Sequence, residues 1–490
     1  MLRPTIEQAK QLTGYSLIPV CRELLSDFTT PIEVLRKLRS VSRHVYILES
    51  VENQEKWGRY TFLGYDPKLE ITCINGELTV KNVQTGKTET SQQAHPADYI
   101  KKLMSGFSSP ALDGFPSFTG GLVGYFSYDY IKYSEPTLKL DANDEEHFKD
   151  VDLMLFDKVI AFDNIKQKIM LITNISSADI DREYPEAEKQ LEEMERLIRF
   201  GKPADIPKGK LTSEFRRLFD KQQYCEMVEK ARHYIYEGDI FQVVLSNRLD
   251  ADFEGSLFDA YRVLRATNPS PYMFFFSSDD MEIAGASPET LVKLENGVLH
   301  TFPLAGTRPR GADDEQDKQL ERELLQDEKE LSEHNMLVDL GRNDIGKISR
   351  FGSVEVEKYM SIERYSHVMH IGSTVRGEIL DGKTALDAVD AILPAGTLSG
   401  APKLRACEII NELENNKRGV YGGAVGYIDF RGNLDTCIAI RLAFRKNGRV
   451  FVRSGAGIVA DSVPENEYNE CINKAKAVMN ALSIAQEDSI

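Results

Sequence analysis

Two pairs of glutamates give the first indication of chemistry. Glu330 and Glu333 stand three apart in a stretch of helical periodicity, as do Glu467 and Glu470, so each pair projects from one face of its own helix. With 77 acidic residues among 490, about twelve such pairs arise by chance, and most acid pairs on helices are solvated. The surroundings set these two apart. Glu333 precedes His334 and the apolar Met336-Leu337-Val338, and Glu470 lies between Tyr468 and Cys471 in a segment carrying Ile472, Val478 and Met479. A carboxylate beside such runs needs a counter-charge, and two opposed pairs could hold Mg2+ with positions open for a ligand carboxylate.

Candidate anion receptors and acid/base groups lie nearby in sequence. Arg441, in an apolar β-run, offers a bidentate fork, and Lys474 follows Glu470 by one turn. The small-residue loop Pro394-Ala-Gly396-Thr397-Leu-Ser399-Gly400-Ala-Pro-Lys403 offers backbone N–H groups. Each has a plainer reading: Arg441 paired with Asp435, Lys474 with Glu470, the loop as a helix entry. His370, within 366–375, reads equally as a satisfied sheet histidine. Glu289, after a proline, reads equally as a first-turn helix carboxylate favoured by the dipole.

The elements that must position these groups follow from periodicity. Residues 1–200 mix a helix over Pro31–Leu38 with strands over Val45–Leu48, Leu69–Ile74, Leu78–Val80 and Lys168–Ile172, and close on a helix over Tyr184–Phe200. A Gly- and Pro-rich stretch then places a boundary near 201–213. Beyond it, helices are expected over Lys221–Glu237, Asp317–Val338 and Pro464–Leu482. Strands are expected over Phe241–Leu245, Tyr272–Phe276, Tyr421–Phe430, Thr436–Phe444 and Arg449–Arg453. Links containing Arg431-Gly432-Asn433 and Asn447-Gly448 carry hairpin chemistry, so the sheet should be antiparallel and the class α+β.

Composition bounds the function. The chain has 60 basic and 77 acidic residues, a net charge of −17, and 41% hydrophobic residues. Such a charge repels a phosphate backbone, so nucleic-acid binding is not expected. No apolar run reaches the roughly 18 residues of a membrane span, and the first residues lack a secretion signal, which makes the cytoplasm the expected compartment. Six scattered cysteines suggest neither a disulfide framework nor a zinc site. Two nucleotide look-alikes are declined. Gly377-Glu-Ile-Leu-Asp-Gly382-Lys383-Thr384 fits a phosphate-loop pattern but carries Glu378 and Asp381, which oppose an anion. Gly455-Ala-Gly457-Ile-Val-Ala460 imitates a dinucleotide fingerprint, yet its helix starts only near Pro464. Those glycines instead permit close approach of the backbone to a smaller ligand.

Together these residues resemble the chorismate-utilising enzymes, and within them the large subunits (component I) of anthranilate synthase, over nearly the whole chain. The resemblance rests on Gly238-Asp-Ile-Phe-Gln-Val-Val-Leu-Ser246, Ala286-Ser-Pro-Glu289 and Pro303-Leu-Ala-Gly-Thr-Arg-Pro-Arg310. It continues in Glu333-His-Asn-Met-Leu-Val-Asp-Leu-Gly-Arg-Asn-Asp344, Gly396-Thr-Leu-Ser-Gly-Ala-Pro-Lys403 and Tyr421-Gly-Gly-Ala-Val-Gly-Tyr427. It implies an α+β fold of largely antiparallel sheets packed with helices, a two-layered core and a smaller intertwined N-terminal domain. The implied division is a regulatory domain over 1–200 and a catalytic domain over 214–485. Hydroxylating relatives carry a lysine base in place of Gln242, and aminodeoxychorismate synthases usually carry a nucleophilic lysine in place of Ala305. Neither an amide nor a methyl can do that work. The implied reaction is therefore addition of ammonia at C2 of chorismate and loss of pyruvate to give anthranilate, with aminodeoxychorismate synthase as the alternative.

The resemblance also implies roles. Glu333 and Glu470 would hold Mg2+, with Glu330 and Glu467 supporting through water. Lys474 and the Gly455-Ala456-Gly457 backbone would take the ring carboxylate, Tyr421 and Arg441 the enolpyruvyl carboxylate, with Gly306 and Thr307 also at the substrate. Glu289 would be the general acid, His370 an acid/base group of the second stage, and Thr397 an orienting group. No cysteine lies in a Gly-x-Cys-x-Gly elbow, so a separate glutamine amidotransferase subunit (component II) would supply ammonia, in a heterotetramer of two large and two small subunits. Ile47-Leu-Glu-Ser50 and Asn268-Pro-Ser-Pro271-Tyr272-Met273 resemble the two elements of an L-tryptophan inhibitor site.

Overall fold

The computed structural model describes residues 2–50, 58–364 and 368–487. The local signals set its elements. Ala424–Asp429 and Leu434–Ile438 pair antiparallel across a turn in which Gly432 has φ +85°, and Leu442–Lys446 pairs with Arg449–Ile458 across Asn447 and Gly448, both at positive φ. Two successive residues at positive φ match the twist of a two-residue hairpin, which is why Asn-Gly stands there. In the helix Ile180–Phe200 the buried residues Ala187, Leu191, Met194 and Ile198 form one stripe at helical spacing.

Fourteen described strands form one sheet and twelve form a second. Every pairing within these sheets is antiparallel. Each sheet crosses the two parts of the chain. In the larger, Val45–Glu49 pairs with Tyr272–Ser277; in the smaller, Gly121–Phe126 pairs with Ala424–Asp429. An aromatic core that includes Tyr46, Phe62, Tyr125, Phe156, Phe274, Phe444 and Phe451 draws on strands of both sheets. Helices cover the other faces: Pro31–Arg39, Ile180–Phe200, Phe258–Thr267 and Pro464–Ile484 on the larger sheet, Glu328–Gly346 and Ala385–Ile392 on the smaller. Burial of these apolar faces, at roughly 25 cal/mol per Å2, is the main favourable contribution. All six cysteines are free, and only Cys225 is not buried.

Two expected elements differ. The helix expected over Asp317–Val338 is two, Asp314–Leu324 and Glu328–Gly346. Asp327 breaks the run by accepting from the backbone N–H of Lys329 and Glu330 at 3.2 Å, an N-cap in mid-pattern. The strand expected over Thr436–Phe444 is also two, one in each sheet, and the chain turns between them at Arg441, whose φ is +50°. The phosphate-loop look-alike is a strand-to-helix turn. The amide and hydroxyl of Thr384 both donate to Asp387, at 2.9 and 2.8 Å, so a side chain from the helix itself occupies its N-terminus. Burial raises the pKa of Asp387, but bonds from Thr384 and Lys101 outweigh it and hold the group at about 2. The glycines 455 and 457 lie inside the strand Arg449–Ile458, and the next helix begins at Pro464.

Candidate active site

The break at Asp327 matters to the site because it makes Glu330 a first-turn residue and puts Glu333 in the next turn. In the same way Glu467 lies in the first turn of Pro464–Ile484, with Glu470 after it. On that helix Tyr468, Cys471, Ala475 and Val478 are buried, while Glu467, Glu470 and Lys474 follow a different stripe at i, i+3 and i+7. Both acid pairs therefore sit at helix N-termini, where the backbone dipole favours negative charge.

The four carboxylates are electrostatic neighbours, although no three of them bring ligand oxygens within 4.8 Å of one another. Burial raises the proton affinity of Glu333, and Glu330 and Glu470 raise it further. Burial raises that of Glu467 as well, offset by a bond from Ser462, with Glu470 again adding to the rise. Lys474 reaches Glu470 at 2.7 Å and Arg308 reaches Glu330 at 3.6 Å, but among the described residues Glu333 and Glu467 make no ion pair. Carboxylates on two helices that raise one another's proton affinity, two of them without an ion pair, are by type the donors a hard divalent cation such as Mg2+ takes, and these side chains would have to draw together to hold one. Among the described residues, the group of three that does place its ligand atoms within 4.8 Å of one another is His44, Glu70 and Asp279. There Lys81 pairs with Asp279 and Lys149 lies 3.9 Å from Glu70, so that group is a charge network.

Next to the acids lies an open cleft of about 490 Å3 lined by Arg441, Asn466, Asn469, Glu470, Asn473 and Lys474. Lys474 donates to the Gly455 carbonyl at 3.2 Å, which fixes the ammonium beside the strand Arg449–Ile458. A Cβ on Gly455 would stand 3.1 Å from the Tyr421 hydroxyl, and one on Gly457 would stand 2.7 Å from Nε2 of Gln242. The glycines thus let Tyr421 and Gln242 close over the backbone. Ala456 points the other way, into the core with Val243 and Leu245, so only its backbone faces this side.

Glu289 stands between this cleft and the sheet. Its carboxyl is pushed up to about 7 by burial, against the opposing influence of Thr397, Lys474 and Arg441. A carboxyl in that range is part protonated at neutral pH, which suits a general acid. Arg441 makes no ion pair with Asp435, whose carboxylate instead accepts from the Tyr272 hydroxyl at 2.9 Å. Burial lowers the pKa of Arg441, and Glu289 partly restores it. Arg441 also acts on His370, whose pKa is lowered first by burial. His370 Nδ1 lies 2.9 Å from the Gly306 carbonyl and 3.0 Å from the Thr307 hydroxyl. A carbonyl can only accept, so Nδ1 carries the proton and Nε2 is the basic nitrogen. Gly306, at φ +64°, also borders Glu330, 3.2 Å from where its Cβ would be. One region therefore contains every residue assigned above to catalysis, metal and substrate.

Sequence reasoning missed what braces this region. Arg418, 1% exposed, donates to the Leu398 carbonyl at 2.6 Å, next to Thr397, and to the Val244 carbonyl at 2.7 Å. It pairs with Glu414 at 2.6 Å and lies over the rings of Tyr128 and Tyr421. Arg453, two residues before Gly455, pairs with the same Glu414 at 3.1 Å. The only readable signal was Glu414 and Arg418 at i and i+4, which usually marks a solvated face. Lys403 is another brace: it donates to Asp344 and to the Ile392 carbonyl, both at 2.8 Å.

A second cavity, of about 310 Å3, is lined by Ser50, Pro271, Tyr272 and Met273, with Arg59, Tyr427 and Asp435. The two sequence elements assigned to an inhibitor thus meet, 218 residues or more apart in the chain, where Val45–Glu49 pairs with Tyr272–Ser277.

Residues 44–480 match the chorismate binding enzyme family. The chain is 46% identical to anthranilate synthase component 1 of Acetivibrio thermocellus, covering 99% of this chain and 100% of that one. It is 45% identical to the same component of Acinetobacter calcoaceticus, over 99% of each. The crystal structure of anthranilate synthase component I from Streptococcus pneumoniae TIGR4 superposes with a TM-score of 0.76, at 40% identity, over 93% of this chain and 98% of that one. The menaquinone-specific isochorismate synthase of Escherichia coli shares the fold at 19% identity, with a TM-score of 0.70 over 97% and 98%. No described helix is long and apolar enough to cross a membrane. By full-length similarity and by the residues gathered in its cleft, the chain belongs to the chorismate binding enzymes, among the anthranilate synthase component 1 proteins.

Proposed function

We propose that this protein converts chorismate and ammonia to anthranilate, pyruvate and water, as the large subunit of an anthranilate synthase. The reading is supported by the meeting of a buried Glu289, whose proton affinity burial raises, with the basic groups Arg441 and Lys474 and with the acid pairs of two helices, and by Gln242 and Ala305 where other chorismate chemistries need lysine. Lys474 and the Gly455 backbone take the ring carboxylate, and Tyr421 and Arg441 take the enolpyruvyl carboxylate. Glu333 and Glu470, supported by Glu330 and Glu467, would hold Mg2+, which neutralises and polarises the ring carboxylate when bound. Glu289, oriented by Thr397, gives its proton to the C4 hydroxyl, which leaves as water while the nitrogen lone pair forms the new bond at C2 and the ring double bonds shift. The new ammonium returns one proton to Glu289, neutral His370 takes the C2 proton through Nε2 as the bond from C3 to the enolpyruvyl oxygen breaks and the ring becomes aromatic, and the released enolpyruvate takes that proton on carbon to become pyruvate.

The nitrogen comes from an amidotransferase subunit, in a heterotetramer of two large and two small subunits in the cytoplasm. The 310 Å3 cavity binds L-tryptophan, which inhibits, and residues 1–200 form the regulatory domain against a catalytic domain over 214–485. One assay tests the core of this reading. The purified chain with chorismate, MgCl2 and an ammonium salt should produce anthranilate fluorescence together with pyruvate. Accumulation of an amino compound that retains its enolpyruvyl group would refute it.

A further inference from the structure

The 310 Å3 cavity and a smaller one of about 50 Å3 beside Glu289 share a wall one strand thick. The strand Leu434–Ile438 turns Asp435 and Cys437 to the larger cavity, while Ile438 lines the smaller one that contains Glu289, Thr290 and Thr397. Ile438 also holds the backbone of the acid: its N–H donates to the Glu289 carbonyl at 2.9 Å, and its own carbonyl accepts from the Ser287 hydroxyl at 2.6 Å. Thr290–Glu295 pairs with this strand through a shift in register between Thr290 and Val292. Such an irregularity re-aims the side chains beside it, and the residue immediately before it is Glu289.

Across the same wall the Tyr272 hydroxyl lies 3.0 Å from Thr290 Oγ1 and 2.9 Å from Asp435 Oδ1. A phenol has one proton. With that proton given to Asp435, the phenol oxygen accepts from Thr290, so the three groups form an ordered chain from the larger cavity to the irregular strand. Tyr272 itself lines the larger cavity, so a molecule filling that space touches one end of the chain while Glu289 is one residue from the other.

We infer that Thr290 is a positioning residue for Glu289, and that it transmits occupancy of the larger cavity to the acid through the Tyr272 hydroxyl. The inference rests on the proposed reading of that cavity as a tryptophan site. Inhibition then arises because tryptophan binds more tightly to one setting of Tyr272 and Thr290 than to the other, and the acid is correctly aimed in only one of them.

The test separates binding from inhibition in the full chain. Tryptophan binding is read by calorimetry, and inhibition by ammonium-dependent anthranilate formation. Thr290→Val keeps the shape and removes the hydroxyl. It should bind tryptophan within about threefold of the wild-type value, yet need about tenfold more for half-inhibition. Its kcat should fall while KM for chorismate holds, and Thr290→Ser, which keeps the hydroxyl, should restore both kcat and inhibition. Asp435→Asn provides a second probe of the same chain and should weaken inhibition in the same direction. Binding and inhibition that stay in step in both variants would overturn the inference and leave the tryptophan site standing. Failure of the wild-type chain to bind tryptophan would instead overturn the reading of the cavity, and with it this inference.

Discussion

Glu333, on the helix Glu328–Gly346, has its proton affinity raised by burial and by Glu330, and Glu470, on the C-terminal helix, adds to the rise. Two elements more than a hundred residues apart are folded so that their acids repel. A divalent cation relieves that repulsion, so Glu333→Gln and Glu470→Gln should each abolish Mg2+-dependent turnover. Glu330→Gln and Glu467→Gln, acting through water, should cost about 10- to 100-fold in Mg2+ affinity. Titration calorimetry with MgCl2 and turnover at saturating metal check both, and unchanged activity in either first-named variant would sink the assignment.

The pH profile follows from Glu289. A general acid works only while protonated, and this group sits at about 7 because it is buried. At a fixed concentration of free ammonia, kcat should fall with unit slope as pH rises through about 7. Glu289→Gln should remove that limb and lower kcat by about 100- to 10,000-fold. The same shift affects stability. A carboxyl whose folded pKa lies above its unfolded value favours the folded state at low pH, and that contribution is lost as pH rises from about 4.5 through about 7.

Inhibition should map to the cavity where the two parts of the chain meet. Ser50 and Met273 both line it. Substituting either with a larger side chain should weaken tryptophan inhibition, with ammonia-dependent kcat within about twofold, as read by inhibitor titration. Absence of any heat on mixing tryptophan with the wild-type chain would count against the site.

Arg418 braces Thr397 and Tyr421 from beneath. Removing one partner of a buried ion pair leaves the other uncompensated, at a cost of about 3–5 kcal/mol. Arg418→Met should therefore destabilise the chain by that amount in urea unfolding, since Glu414 would keep a charge now shared only with Arg453. Replacing Glu414 and Arg418 together by apolar residues would strand the buried Arg453, so it should cost at least as much as the single change.

On the proposed reading the nitrogen is delivered by another subunit. The purified single chain should form anthranilate with ammonium salts and show no glutamine-dependent activity, measured by adding glutamine in ammonium-free buffer.

Much of this architecture was legible because its causes are local. Asn447-Gly448 marks a hairpin by its backbone preference, and the stripe from Ala187 to Ile198 marks a buried helix face. The misses have tertiary causes. The run Thr436–Phe444 is apolar throughout, and nothing in it shows that the chain changes sheets at Arg441. The cap at Asp327 was readable, since an aspartate precedes an acidic first turn, but unbroken helical periodicity outweighed it. The candidate site residues were proposed mainly through ordered motifs. The contacts that join them, such as Arg418 to Leu398 or Tyr272 to Thr290, depend on strands and loops brought together from distant parts of the chain.

That interleaving governs how the molecule can be divided. Val45–Glu49 has Tyr60–Tyr65 on one edge and takes Tyr272–Ser277 on the other, and Gly121–Phe126, paired with Val151–Phe156, completes its pairing with Ala424–Asp429. A polypeptide severed within 201–209 would yield two pieces with bare sheet edges, each prone to stick to itself or to its counterpart. Neither piece could be exchanged with that of a relative as a ready-made cassette, so the two parts of the chain are bound to diverge as one unit.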